Sequence, residues 1–405
     1  MGKENNILSF DYSYGYDCKR LYNLIVLDDE ILVFFSGNFL HFFNVQTSKL
    51  WFRRSAFGSC IGCIGKNPME HHFVVGENGN DASIVIYNWP AMDVINIIKR
   101  AAVKIFTSLT YDPTGKLLIV HSGKPDYLLS IYDWSTSTVL FKSFNNADVY
   151  KIVFSSYYNN QFVSFGPKYI KFWRITKTFT GNKLEGEEGK FNQTEWSNIL
   201  CAYPMPDTTV VSGCEWGNIL IWKDSQIKVE IGRKLNENCH SAPITQFLYE
   251  NNELWSISID GQIKLWYFKK IDFAKVTDEQ GFITAEPIYE IHYPNIMFLG
   301  VHKAPKQDFY FVQDGNGGLW YLHLTSQKNP EPAIQLYKCH GGAVTDISTC
   351  PWNDYLFSLG IDGKLQMYEY VTRKLLHVHQ FLAKGTCLLW LPLNVCIIIS
   401  NIINL

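Results

Sequence analysis

Trp216 to Trp222 reads WGNILIW: turn residues, then alternating apolar positions, then an aromatic residue six places after the start. The same frame recurs at Gly37–Phe43 (GNFLHFF), Asp81–Tyr87 (DASIVIY), Asp126–Tyr132 (DYLLSIY), Pro167–Trp173 (PKYIKFW), Asp260–Trp266 (DGQIKLW) and Asp362–Tyr368 (DGKLQMY). Asn316–Leu322 (NGGLWYL) fits it with an aliphatic residue in the aromatic slot. Alternation at period two is the signature of a strand, since successive side chains point to opposite faces.

The frame ends fall at 43, 87, 132, 173, 222, 266, 322 and 368, spaced by 44, 45, 41, 49, 44, 56 and 46 residues. A period in the low to middle forties with a turn-then-aromatic strand marks WD-type propeller blades. The fold expected is all-β: a WD-repeat β-propeller of seven or eight four-stranded antiparallel blades. A β-sandwich does not repeat at a fixed period. The 56- and 49-residue spacings carry polar insertions at Lys269–Pro287 and Thr178–Trp196, where partner contacts are expected because long loops on a rigid scaffold often carry them. Leu184–Lys190 (LEGEEGK) reads as a solvated loop, with a partner-binding loop as the sharper alternative. Ser108–Ser122 reads as strand, Pro113-Thr114-Gly115 turn, strand, and Cys350–Asp354 turns the chain into another strand. The expected organisation is an N-terminal segment at 1–22 as a candidate closing strand, a propeller over 23–384 with about eight blade periods, and the start of a further blade at 385–405.

Composition agrees with a large, sheet-rich core. Of 405 residues, 47% are hydrophobic, 15% aromatic and 18% charged. The 36 basic and 38 acidic residues leave a formal charge of −2, which lacks the basic footprint of a nucleic-acid binder. Ten cysteines scattered through apolar runs, with no apolar leader after Met1, read as reduced thiols of a cytosolic protein. After Lys384 the chain carries no charge, but Pro392, Asn394, Ser400, Asn401 and Asn404 favour two strands around a Pro-Leu-Asn turn over a membrane span.

The blade around Asp260 offers His240, Ser256, Asp260 and Trp266, and the next full set is His340, Ser358 and Asp362 with Tyr368 in place of Trp. Together with Trp173 and Trp222, these are read as structural residues, wired by hydrogen bonds because buried polar groups must be paired. A Ser-His-Asp triad is the catalytic alternative, to be judged by geometry. Cys60-Ile61-Gly62-Cys63, followed by His71 and His72, reads as a buried strand in preference to a zinc site. No GxxxxGK[ST], HExxH or GxSxG occurs. A channel enzyme would need converging polar groups with perturbed pKa values, and the sequence displays no such set. No catalytic, cofactor-binding or metal residues are expected, and no cofactor.

Four stretches resemble a particular family: Phe10–Lys19 (FDYSYGYDCK), Trp51–Ser55 (WFRRS), Ser212–Trp222 (SGCEWGNILIW) and Asp260–Asp272 (DGQIKLWYFKKID). They are similar to the N-terminal WD-repeat region of the cilia- and flagella-associated proteins of the axonemal dynein tether and tether-head complex, over roughly Phe10 to Leu391. The resemblance implies a non-enzymatic scaffold that anchors inner-arm dynein to doublet microtubules and supports ciliary beating. It implies as partners axonemal dynein and a related WD-repeat tether protein, with indirect microtubule association and no nucleic acid, membrane or small-molecule substrate. The implied location is the cytoplasm, cytoskeleton and ciliary or flagellar axoneme. Against the family pattern, the second propeller and the coiled coil that follow there are expected to be missing from these 405 residues. The alternative is a general WD-repeat interaction module of a soluble cytoplasmic complex.

Overall fold

The structure is a computed structural model, which describes residues 12–179, 181–250, 252–267, 281–324, 331–390 and 397–402. Eight sheets follow one another, each built on four antiparallel strands to which sheet 5 adds a fifth, parallel one, at residues 25–54, 61–102, 106–144, 151–188, 202–232, 244–292, 298–338 and 344–380, here sheets 1 to 8. Each sheet adds its strands in chain order, and among the described residues the helical content is one 3-10 turn at Lys234–Asn236. The propeller reading of the sequence is therefore the observed architecture.

All eight frame ends lie on the third strand of a sheet, from Phe43 on Phe39–Asn44 to Tyr368 on Lys364–Glu369. The turn residues before it have a physical job. Gly217 and Gly261 take the left-handed region at φ 90° and 79°, which costs glycine nothing. A Cβ at Gly217 would also run into the carbonyl oxygen of His240. The carbonyls of these glycines accept from the chain entering the next sheet, from His240 N at 3.0 Å and Tyr293 N at 2.8 Å.

Both faces of sheets 1 to 7 are buried. In sheet 2, Phe73 and Val75 face sheet 1, while Val74 between them faces sheet 3. The aromatic slot always points backward: Tyr87 to sheet 1, Tyr132 to sheet 2, Trp173 to sheet 3, Trp222 to sheet 4 and Trp266 to sheet 5. For sheet 1 the backward neighbour is sheet 7, because Phe43 shares a cluster with Phe311, Leu319 and Ala304. Seven sheets thus close into a ring, with their first strands around a central channel.

Sheet 8 packs differently. Its Phe357 and Leu359 meet Leu388 on the hairpin formed by Lys384–Trp390 and Ile397–Ile402, paired Trp390 to Ile397. The strand pair expected at the C-terminal run is present, and the turn between lies outside the described residues. The aromatic slot of sheet 8, Tyr368, meets the N-terminal segment: its ring is 4.6 Å from that of Tyr14. Residues 12–22 form no strand; residues 1–11 lie outside the described set. The segment crosses the seam between sheets 7 and 1 instead. Gln313 Nε2 donates to the carbonyls of Cys18 and Arg20 at 2.8 and 2.6 Å, and Cys339 Sγ donates to Tyr14 O at 2.8 Å.

Gln313 is fully buried, so removing its amide strands one buried and one half-buried carbonyl. Gln313→Ala should lower stability by about 1–3 kcal/mol and expose residues 12–22 to protease. Urea denaturation and limited proteolysis of the variant against the parent chain check this.

Candidate functional site

The residues singled out in the sequence meet in the interior. Ser256 Oγ lies 2.7 Å from His240 Nε2 and accepts from Trp266 Nε1 at 2.8 Å. His240 Nδ1 is 3.3 Å from Asp260 Oδ2, and Asp260 also accepts from the backbone N–H of Ser241 at 3.0 Å and Gln262 at 2.9 Å. The connectivity is that of a Ser-His-Asp triad. However, Ser256 is 0% exposed and its oxygen is already engaged by the indole, so no substrate carbonyl can approach it. What the set does is tie the entry of sheet 6 to its second and third strands.

The second set repeats this in part. His340 Nε2 is 2.8 Å from Ser358 Oγ and Nδ1 is 3.1 Å from Asp362 Oδ1. Tyr368 does not reach Ser358; its hydroxyl donates to Gln366 Oε1. Trp222 Nε1 donates to Ser212 and Trp173 Nε1 to Ser164, both at 2.8 Å. Around Trp173 the relay runs through residues that the sequence reading missed. Tyr169 OH lies 3.0 Å from Ser164 Oγ and donates to Asn145 Oδ1 at 2.6 Å, and Asn145 Nδ2 is 3.3 Å from His121 Nε2. Asn145 stands where sheets 6 and 8 have His240 and His340. The signal available was its place between frames, not its residue type.

Burial of Asp260 and Asp362 opposes their ionisation, but His240 and His340, with the surrounding backbone N–H groups, hold both carboxyls down at about 2. Burial holds His41 and His121 down at about 4. His41 stacks on Phe34 and lies 3.0 Å from Ser13 Oγ.

Cys60 is exposed before the strand Ile61–Lys66, and Cys63 is on it, with a bulge between Ile61 and Cys63 that breaks simple alternation. His72 is engaged by Asn67 at 2.9 Å and Glu70 at 3.3 Å. Among the described residues no three His, Cys, Asp or Glu side chains are grouped for a metal. The nine described cysteines are free thiols.

Leu184–Lys190 is not a loop over most of its length: Gly181–Glu188 is a strand opposite Tyr169–Thr178, with Glu185 facing Arg174 and Glu188 facing Lys171. A cavity of about 380 Å³ opens between this hairpin and sheet 5, lined by Phe172, Arg174, Glu185, Glu187, Met205 and Asp224. The other insertion ends as a fifth strand of sheet 5, Phe282–Thr284, parallel to Gln226–Gly232. Arg233 anchors it at 2.9 Å from Glu286 and 3.3 Å from Glu290. Residues 268–280 of that insertion lie outside the described set.

The channel does hold converging polar groups, against the sequence expectation. Arg20 of the N-terminal segment donates to the carbonyl of Gly62, beside Cys63 and Lys151. Burial pushes the Cys63 thiol up to about 12, against the nearby Arg20 and Lys151 charges, so it is not a nucleophile at neutral pH. These groups lie far apart in sequence, which hid their convergence.

The fold defines the class: a WD-repeat β-propeller. The C-terminal WD40 domain of Sif2 superposes with a TM-score of 0.53 at 14% identity, over 84% of this chain and 93% of that one. No family model matches. Over 401 residues the chain is 31% identical to Cilia- and flagella-associated protein 44 of Mus musculus, covering 98% of this chain and 22% of that protein. Over 396 residues it is 26% identical to the protein of the same name from Trypanosoma brucei brucei, covering 90% of this chain and 22% of that one. The chain thus spans about a fifth of the length of these relatives.

Two stability predictions follow from the buried polar groups. Ser256→Ala leaves the indole N–H of Trp266 and His240 Nε2 without their partner, and should cost about 1–3 kcal/mol in urea denaturation. His41 and His121 are neutral when folded and take up protons near pH 6.5 when unfolded. Their folded pKa is depressed, so their contribution is complete above about pH 6.5 and is lost as pH falls toward 4. The urea midpoint should fall between pH 7.5 and 5, by less in His121→Phe. Asp260 and Asp362 withdraw their contribution only below about pH 4.

Proposed function

We propose that this chain is a non-enzymatic scaffold of the ciliary or flagellar axoneme, acting in the tether that holds inner-arm dynein to doublet microtubules and supports beating. The observation that carries this reading is the likeness, over nearly the whole chain, to proteins named cilia- and flagella-associated in a mammal and a trypanosome. The chemistry agrees with it, because both triad-like constellations are sealed, with Ser256 and Ser358 buried, and the channel thiol is held protonated. Partners in this reading are axonemal dynein and a related WD-repeat tether protein, with microtubules reached through them. The likeness to the mouse Cilia- and flagella-associated protein 43, 24% identical over 157 residues, supports a WD-repeat companion of similar build. Sheet 8 and its hairpin, which lie outside the seven-sheet ring while touching its seam through Tyr14, are read as the beginning of a second repeat unit.

The test is the tagged chain expressed in a motile-ciliated cell. Retention in detergent-extracted axonemes, with dynein subunits recovered on pull-down, is the expected result. A signal wholly in the detergent-soluble fraction would overturn the axonemal reading and leave the general interaction module.

A further inference from the structure

One mouth of the ring holds a cavity of about 440 Å³ whose chemistry nothing above uses. It reaches from Tyr22 and Lys151 to Lys66, Tyr111 and His302, between first strands of sheets 1, 2, 3, 4 and 7. Its lining contains two lysines and a histidine and no Asp or Glu. The smaller cavity beneath shares Tyr22 and Lys151, adds Arg20, and is also free of carboxylates. The chain as a whole is slightly acidic, so a carboxylate-free cationic cavity is a local feature.

Three of the polar groups there lack a hydrogen-bonding or carboxylate partner among the described residues. Among the described residues, Lys151 has no carboxylate oxygen within 4.0 Å, and its ammonium faces the Tyr22 ring at 5.1 Å. Burial disfavours the charged form of Lys151. His302 Nε2 and the Tyr111 hydroxyl are buried with no hydrogen-bond partner. Lys66 is better served: its Nζ donates to Leu27 O at 2.8 Å, and Asp28 and Asp29 lie near it. Lys151 and two residues that carry orphaned polar atoms, from three different sheets, therefore line one cavity. An uncompensated buried charge is costly, and an anion would relieve it. The remaining wall is apolar, with Leu24, Ile25, Ile64, Leu109, Ile152 and Phe154. A mostly apolar pocket with a few convergent polar groups suits a small organic ligand, and a free oxyanion would leave the apolar wall uncovered.

We propose that this mouth binds a carboxylate carried on an apolar body, with the carboxylate against Lys151 and His302 and the apolar part against Leu24, Ile64 and Phe154. Two sources share that chemistry: a short-chain carboxylic acid, or an acidic side chain flanked by apolar ones on a partner's peptide.

The experiment titrates the full chain at constant ionic strength with hexanoate, hexanol, inorganic phosphate and the peptide acetyl-Leu-Glu-Leu-amide, read by calorimetry and by melting temperature. Hexanoate and the peptide should bind saturably, with hexanol and phosphate at least tenfold weaker. Lys151→Met should lose at least tenfold in hexanoate affinity, and Lys151→Arg should keep it. Peptide binding tighter than hexanoate assigns the site to a protein partner, and the reverse to a free acid. Hexanol equal to hexanoate, phosphate equal to hexanoate, or an undiminished Lys151→Met would each overturn the proposal. If Lys151→Met does not fold, histidine-selective NMR of the parent chain decides. The His302 ring signal, assigned by its loss in His302→Gln, must move with hexanoate and stay still with hexanol; an unmoved signal overturns the proposal.

Discussion

Everything in this fold depends on each sheet burying two faces at once. A four-stranded sheet with apolar residues on both sides has no stable form alone, so every strand must find a neighbour in front and behind. The aromatic at the end of each frame serves the backward contact. Trp222 lies against sheet 4 and Trp266 against sheet 5. The alternate residues on the second strand, such as Val74 against Phe73 and Val75, divide between the two neighbours. Seven such contacts return to the starting sheet, where Phe43 meets Phe311. Packing alone is slippery, because apolar faces can slide. Buried hydrogen bonds remove that freedom: Trp266 to Ser256 and Ser256 to His240 each have one satisfied geometry, and His240 Nδ1 lies 3.3 Å from the Asp260 carboxylate.

The architecture was legible because its cause is periodic. A left-handed turn residue, glycine in five of the eight sheets, and a large side chain five or six residues later recur where a third strand turns in and packs backward, and a repeat survives in a single sequence. The insertions were legible as extra length but not as structure. Gly181–Glu188 is rich in Gly and Glu and reads as a loop, yet pairs along its whole length with the strand before it, where Lys171 and Arg174 face its carboxylates. Phe282–Thr284 joins a sheet to which it does not belong in sequence, a parallel pairing that no local pattern announces. Asn145 was overlooked because residue type was the guide, whereas a buried amide, like the histidine elsewhere, can serve the relay.

The N-terminal segment shows how non-repeating residues complete a repeating scaffold. Its apolar and aromatic side chains fill the seam between sheets 7 and 1, with Tyr16 against Phe34 and Tyr14 against Tyr368. Tyr12 sits between Phe52 and the guanidinium of Arg373. It thereby gives sheet 8 the backward contact that a preceding sheet gives every other aromatic slot.

The same segment changes the chemistry of the channel. Arg20 and Tyr22 cross to Gly62 and Leu200, so the middle of the ring is filled by side chains from outside the repeat. Tyr22 gives its ring to Lys151 and its hydroxyl to the carbonyl of Leu200, a contact that steadies a cation without neutralising it. Neutralisation would require an acid, and the strands around the channel supply none to either cavity. A repeat selected for packing has no reason to place a lysine there. A lysine at that position, which meets a tyrosine ring but no carboxylate, stays open to what it would meet from outside the ring.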